Sequence, residues 1–125
     1  MNTMKVTEIA FTGIPVTDIA RARAFYEGAL GLRPTMESAG GKWIEYDIGA
    51  ATLGIGSYGE TWQPSPQGTC VALEVDNVDA AIAHLKSNGV TIFMEPMDSP
   101  VCRFGMICDP DGNKIIIHKR NCAHC

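Results

Sequence analysis

The chain carries one pattern twice, and this repetition constrains its fold more than any other feature. The stretch Phe11–Ala22 aligns with Cys70–Ala81 at an offset of 59, pairing Val16 with Val75, Asp18 with Asn77, Ile19 with Val78 and Ala22 with Ala81. Further along the offset becomes 62, pairing Asp47 with Asp109, Leu53 with Ile115 and Ile55 with Ile117. A slip of three residues is what a difference in loop length produces. Repetition at this scale implies two copies of one supersecondary unit.

Each copy reads as strand, helix, then strands. In the first, Ile14 and Val16 fall on one face of a strand, and Phe11, Gly13 and Pro15 on the other. Asp18 is suited to cap the following helix, because its carboxylate can accept from the free N–H groups of the first turn. Ile19, Ala22, Phe25, Tyr26, Ala29 and Leu30 recur at helical spacing, and Gly31 suits the left-handed position that ends a helix. Residues 33–38 read as a weak strand, and 42–48 with 51–58 as a hairpin about Gly49-Ala50. In the second copy Val71, Leu73 and Val75 face a helix, while Cys70, Ala72 and Glu74 face away. Asn77 caps that helix, Val78, Ala81, Ile82 and Leu85 form its core face, and Gly89 ends it. Residues 90–95, 102–108 and 113–119 read as strands, the last two joined by the turn Asp109-Pro110-Asp111-Gly112.

The chain has 125 residues, which suits one domain over 1–125: a first module at about 6–58, a linker at 59–68 rich in Gly and Pro, a second module at about 69–119 and a tail at 120–125. The net charge is −4, and no basic block exists to neutralise phosphates, so nucleic acid is not an expected partner. No apolar run approaches the roughly 20 residues needed to span a bilayer, so neither is a membrane. The first eight residues reach Glu8 before any hydrophobic stretch, unlike a secretory signal. Five cysteines, an odd number, without such a signal predict a reduced, cytoplasmic protein.

Three short motifs carry a family resemblance: Ile14-Pro15-Val16-Thr17-Asp18, Phe25-Tyr26 followed by Leu30-Gly31-Leu32, and Asp109-Pro110-Asp111-Gly112-Asn113. In order and spacing the chain, from about Ile9 to His118, resembles the vicinal oxygen chelate superfamily of glyoxalase I, extradiol dioxygenases, and fosfomycin- and bleomycin-resistance proteins. The resemblance implies an α+β fold in which two tandem βαβββ modules form curved mixed sheets around a central cavity, with the helices outside. It also implies pairing into a homodimer. Metalloenzymes of the superfamily place a His or Glu ligand on the first and last strand of each module. Carried over, those positions fall on Phe11, Gly54, Cys70 and Ile116. Only Cys70 has a donor atom, so no metal and no cofactor is expected.

The candidate ligand-binding residues are Phe11, Gly54, Gly56, Tyr58, Trp62, Cys70, Ile116 and His118. The two glycines should leave room that Phe11 and Ile116 make apolar. Trp43, Tyr46, Tyr58 and Trp62 either form a stacking wall for a planar or cationic ligand or fill the core and anchor loops. Trp62 is also placed to act as a lid. Cys70, His118 and Glu74 are weak catalytic candidates. Cys70 paired with His118 would be a nucleophile with its base, against the plainer reading of a buried apolar thiol. Glu74 suits either a ligand amine or a rim salt bridge, and His84 a solvated helix face. The terminal Cys122-Ala123-His124-Cys125 reads as metal capture with His118 or as an untied tail.

Three functions follow: a metal-independent protein that binds a mainly apolar or aromatic small molecule; a glyoxalase-like lyase or isomerase using Cys70, His118 and Glu74 or an atypical metal; and a dimeric scaffold without a ligand.

Overall fold

The computed structural model describes residues 4–5 and 7–121, and the terminal Cys122–Cys125 motif lies outside them. The described residues contain two four-stranded mixed sheets. The first holds β1 (Thr12–Pro15), β2 (Met36–Ser38), β3 (Trp43–Ile48) and β4 (Ala51–Gly56), in the order β1-β4-β3-β2. The second holds β5 (Val71–Glu74), β6 (Thr91–Asp98), β7 (Cys102–Cys108) and β8 (Lys114–Arg120), in the matching order β5-β8-β7-β6. In each sheet the first strand runs parallel to the last and the others are antiparallel. Thr12 pairs with Leu53, and Val71 with Ile115, so both offsets of the repeat are written into the strand registers.

The helix of the first copy begins as an α-helix, α1 (Ile19–Arg23), with Asp18 accepting from the Arg21 N–H. It then widens into a π-helical stretch at Ala24–Ala29, where Leu30 N–H bonds to the Phe25 carbonyl. Within it the consecutive residues Phe25 and Tyr26 both lie in the core, edge to face at 4.9 Å. Regular helical spacing already places both on one apolar stripe, so nothing in that pattern foretold the change of pitch. The second helix, α2 (Val78–Ser87), is capped by Asn77 and buries Val78, Ile82 and Leu85 against β6, β7 and β8. His84, expected on a solvated face, instead puts Nε2 3.2 Å from the Ala29 carbonyl and so links the two helical segments. Strand β6 also runs on to Asp98, past the expected end, through two register shifts against β7.

The core lies between sheets and helices. Ile44, Tyr46, Leu53 and Ile55 fill it from the first sheet and Ile107, Ile115 and Ile117 from the second. Each fully buried side chain of this kind adds about 1.5–3 kcal/mol. The tight turn after β7 fastens the halves together. Asp109 is buried, and its carboxylate accepts from Tyr26 Oη, Asn113 Nδ2 and the N–H groups of Asp111 and Asn113, all at 2.9 Å. Asn113 also donates to the Pro15 carbonyl, and Asp111 binds Thr17 and Arg21. The family-like Asp109–Asn113 motif is thus a clasp between the two copies of the repeat.

Candidate functional site

The helices cover one face of each sheet, and the opposite face of the first sheet carries the candidate site. Strand parity puts Gly13, Gly54 and Gly56 on this face, with Gly13 directly paired to Gly54. On β3 the same face receives Trp43, paired with Gly56, and Glu45, paired with Gly54.

The room expected above these glycines is occupied by rings. A Cβ built on Gly54 would stand 2.2 Å from Cζ2 of Trp43, so the indole lies directly on the bare backbone. One built on Gly56 would meet Trp43 and Tyr58 at 2.8 Å and Trp62 at 3.0 Å, and one on Gly13 would meet Trp62 at 3.0 Å. A strand glycine that permits close approach has a packing reason to be there, and here the approaching groups are aromatic. Phe11 closes the group edge-on to Trp43 at 5.1 Å, while Trp62 lies 6.2 Å from Trp43 and 6.4 Å from Tyr58. Phe11, Ser38, Trp43, Tyr58 and Trp62 line an open hollow of about 520 Å³. Trp62 is therefore part of the floor and wall rather than a free lid. Phe11 and Tyr58 remain partly exposed, which leaves ring surface for a guest.

Tyr46, considered above for the stacking wall, points the other way. It is fully buried, and its hydroxyl donates to Glu27. Burial, then the hydrogen bond to the Glu27 carboxylate, push its phenol above the ordinary range.

The remaining candidates separate. Cys70 is exposed and borders a small hollow of about 70 Å³ at the seam between β1 and β5, beside Gly13, Pro15 and Asn113. Ile116 and His118 lie on the open face of the second sheet. The register places Glu74, and not Cys70, opposite His118. Cys70 is four residues back along the strand, about 13 Å at the usual rise, so the proposed thiol–imidazole pair is not formed. His118 Nδ1 instead approaches Glu74 Oε1 at 2.6 Å, and the other Glu74 oxygen accepts from the Arg120 N–H at 2.8 Å. That backbone bond first, and His118 second, hold the Glu74 carboxyl below its ordinary range.

The resemblance matches the superfamily's metal-ligand positions to Phe11, Gly54, Cys70 and Ile116, and a metal ion requires N, O or S donors. Phe11 and Ile116 offer hydrocarbon, Gly54 lies under an indole, and Cys70 stands apart at the seam. Among the described residues no three His, Cys, Asp or Glu side chains gather as a metal-holding group.

One residue of this face, Glu45, was missed in the sequence, while Trp43 was already a candidate for the stacking wall. Trp43 and Glu45 share this face, and Trp43 Nε1 donates to Glu45 Oε2 at 2.8 Å. The parity rule applied to Gly54 and Gly56 would have found Glu45, had it been extended across the hairpin to β3.

Comparison with known proteins agrees with this architecture. The family model described as "Glyoxalase/Bleomycin resistance protein/Dioxygenase superfamily" matches residues 8–117. The chain is similar to TnmS3, an antibiotic binding protein from Streptomyces sp. CB03234, with 27% identity, a TM-score of 0.77, and coverage of 94% of this chain and 99% of that one. It is also similar to a glyoxalase/bleomycin resistance protein from the same organism, with 29% identity, a TM-score of 0.72 and coverage of 90% and 100%. A glyoxalase/dioxygenase from Nostoc punctiforme shares the fold at 21% identity and a TM-score of 0.77, with coverage of 96% and 98%. No curated protein sequence matches the chain.

Proposed function

Because the chain belongs to the glyoxalase/bleomycin resistance protein/dioxygenase superfamily, we propose that it is a metal-independent binding protein. On this reading it holds a mainly apolar, aromatic small molecule against Trp43, Trp62, Tyr58 and Phe11. The observation that carries the reading is the glycine floor: three Cβ-less positions let Trp43 and Trp62 approach the bare backbone and gather with Tyr58 and Phe11 around one hollow. Aromatic rings held against a sheet can stack on a planar guest with little loss of conformational freedom. The likeness to an antibiotic binding protein supports the same class of activity, sequestration of a small molecule.

The hollow is open on one side, and the second sheet leaves Phe93 and Met97 largely exposed. Both suit a homodimer in which a second copy covers these faces. We place this dimer in the cytoplasm, with residues 1–125 acting as one domain. The test is a thermal-shift and tryptophan-fluorescence screen against uncharged and charged polycyclic aromatic compounds. A native-state ligand raises the melting temperature, and stacking on Trp43 quenches its emission. A screen in which no aromatic compound does either would sink the reading. So would a stoichiometric transition metal that survives dialysis.

A second reading rests on the His118–Glu74 pair. A carboxylate on Nδ1 orients the imidazole and leaves Nε2 free to take a proton. On this reading the pair would serve a glyoxalase-like lyase or isomerase as its proton acceptor. Loss of turnover in His118→Gln, with Cys70→Ser unaffected, would favour it over binding alone.

A further inference from the structure

We propose that the aromatic site selects organic cations, with Glu45 as the residue that reads the charge. This rests on the aromatic-binding reading above and adds the ligand's electrostatic class.

Glu45 is half-buried on the ring-bearing face, two residues from Trp43 and directly opposite Gly54. Its Oε2 accepts from the Trp43 indole N–H at 2.8 Å, so the carboxylate is held at the pyrrole edge of the ring that forms the floor. Its Oε1 has no partner among the described residues. No Lys, Arg or His among them comes within ion-pairing distance of Glu45, although Glu27, Glu37, Glu74, Glu95, Asp79 and Asp111 are all so paired. The unpaired oxygen of this carboxylate is an acceptor that a cationic guest can meet with a charge-assisted hydrogen bond or ion pair. Trp43, which holds this carboxylate and also lines the hollow with Phe11, Tyr58 and Trp62, points to the same guest, since a cation is drawn to the face of Trp, and less strongly of Tyr or Phe, by the ring quadrupole. A neutral aromatic molecule would use only the stacking surface. A planar molecule bearing a quaternary or protonated nitrogen would use that surface and the carboxylate together.

The discriminating experiment compares two probes of nearly the same shape, N-methylquinolinium and quinoline, by calorimetry on the full chain at neutral pH, where only the first is charged. We expect the cation to bind about tenfold more tightly or better. Added salt should weaken the cation and leave quinoline unchanged. In Glu45→Gln the amide oxygen can still accept from Trp43, so the floor is kept while the charge is lost. That variant should lose the preference for the cation and retain quinoline binding. Equal affinity of the two probes in the wild-type protein overturns the charge assignment and leaves the aromatic-ligand reading standing. An equal loss of both in Glu45→Gln also overturns it, because Glu45 would then only be positioning Trp43. Binding of neither probe removes the aromatic-ligand reading itself, and this proposal with it.

Discussion

Tyr26 donates a 2.9 Å hydrogen bond to the buried carboxylate of Asp109, across 83 residues of sequence. The bond ties the helical segment of the first copy to the hairpin turn of the second. Both partners are out of water, so the carboxylate cannot replace a lost donor from solvent. Tyr26→Phe should therefore destabilise the protein by about 2 kcal/mol, the usual loss for a buried hydrogen bond to a charged group. In urea the midpoint should fall while the slope stays constant. An unchanged midpoint would mean that the two copies do not depend on this clasp.

Gly54→Ala tests the floor of the site. The added methyl cannot coexist with the Trp43 ring in its present place, so the indole must swing outward. Because this face is open, the stability cost should stay near 1 kcal/mol, within the ordinary range for a point substitution. The tryptophan emission should shift to the red, and affinity for aromatic compounds should fall at least tenfold. Retained affinity would place the binding surface elsewhere.

The two buried tyrosines predict an alkaline limit. Burial, then the Asp109 carboxylate, raise the Tyr26 phenol, and burial with Glu27 raises Tyr46. An acid whose folded pKa is raised supports the fold fully below its unfolded value of 10.0, and that support declines as pH rises beyond it. Phenolate absorbance from these two residues should appear only together with loss of the near-ultraviolet circular dichroism signal. Their ionisation in a still-folded protein would contradict this.

Glu74 predicts an acid limit of the opposite sign. Its folded pKa lies below its ordinary value of 4.5, through the Arg120 N–H first and His118 second. The stabilisation is present above the unfolded value and is lost as pH falls through the folded one. The melting temperature of wild-type protein should exceed that of Glu74→Gln near neutrality, and the gap should close at acid pH. Since Glu74 is well exposed the gap is small. A gap that persists undiminished in acid would rule out the carboxylate as its source.

The repeat was legible in the sequence down to its offsets, which reappear as the pairings Thr12–Leu53 and Val71–Ile115. So were both helix caps, the Gly49 and Gly112 turns, and the face that Ile14, Leu73 and Ile115 present to the core. These follow from local chemistry and from the period-two and period-3.6 alternations, which a single strand or helix carries within itself. The family motifs were legible for the same reason. Tertiary structure decided how the open face is furnished. The sequence shows that Gly54 and Gly56 lack side chains, but only the pairing of β3 with β4 shows that Trp43 lies in the gap and Glu45 beside it. It also decided that His118 meets Glu74 rather than Cys70, and that Tyr26 reaches Asp109. Each of these depends on strand register or on the docking of segments distant in the chain. Such distances are set when the whole core closes, and no local window of residues contains them.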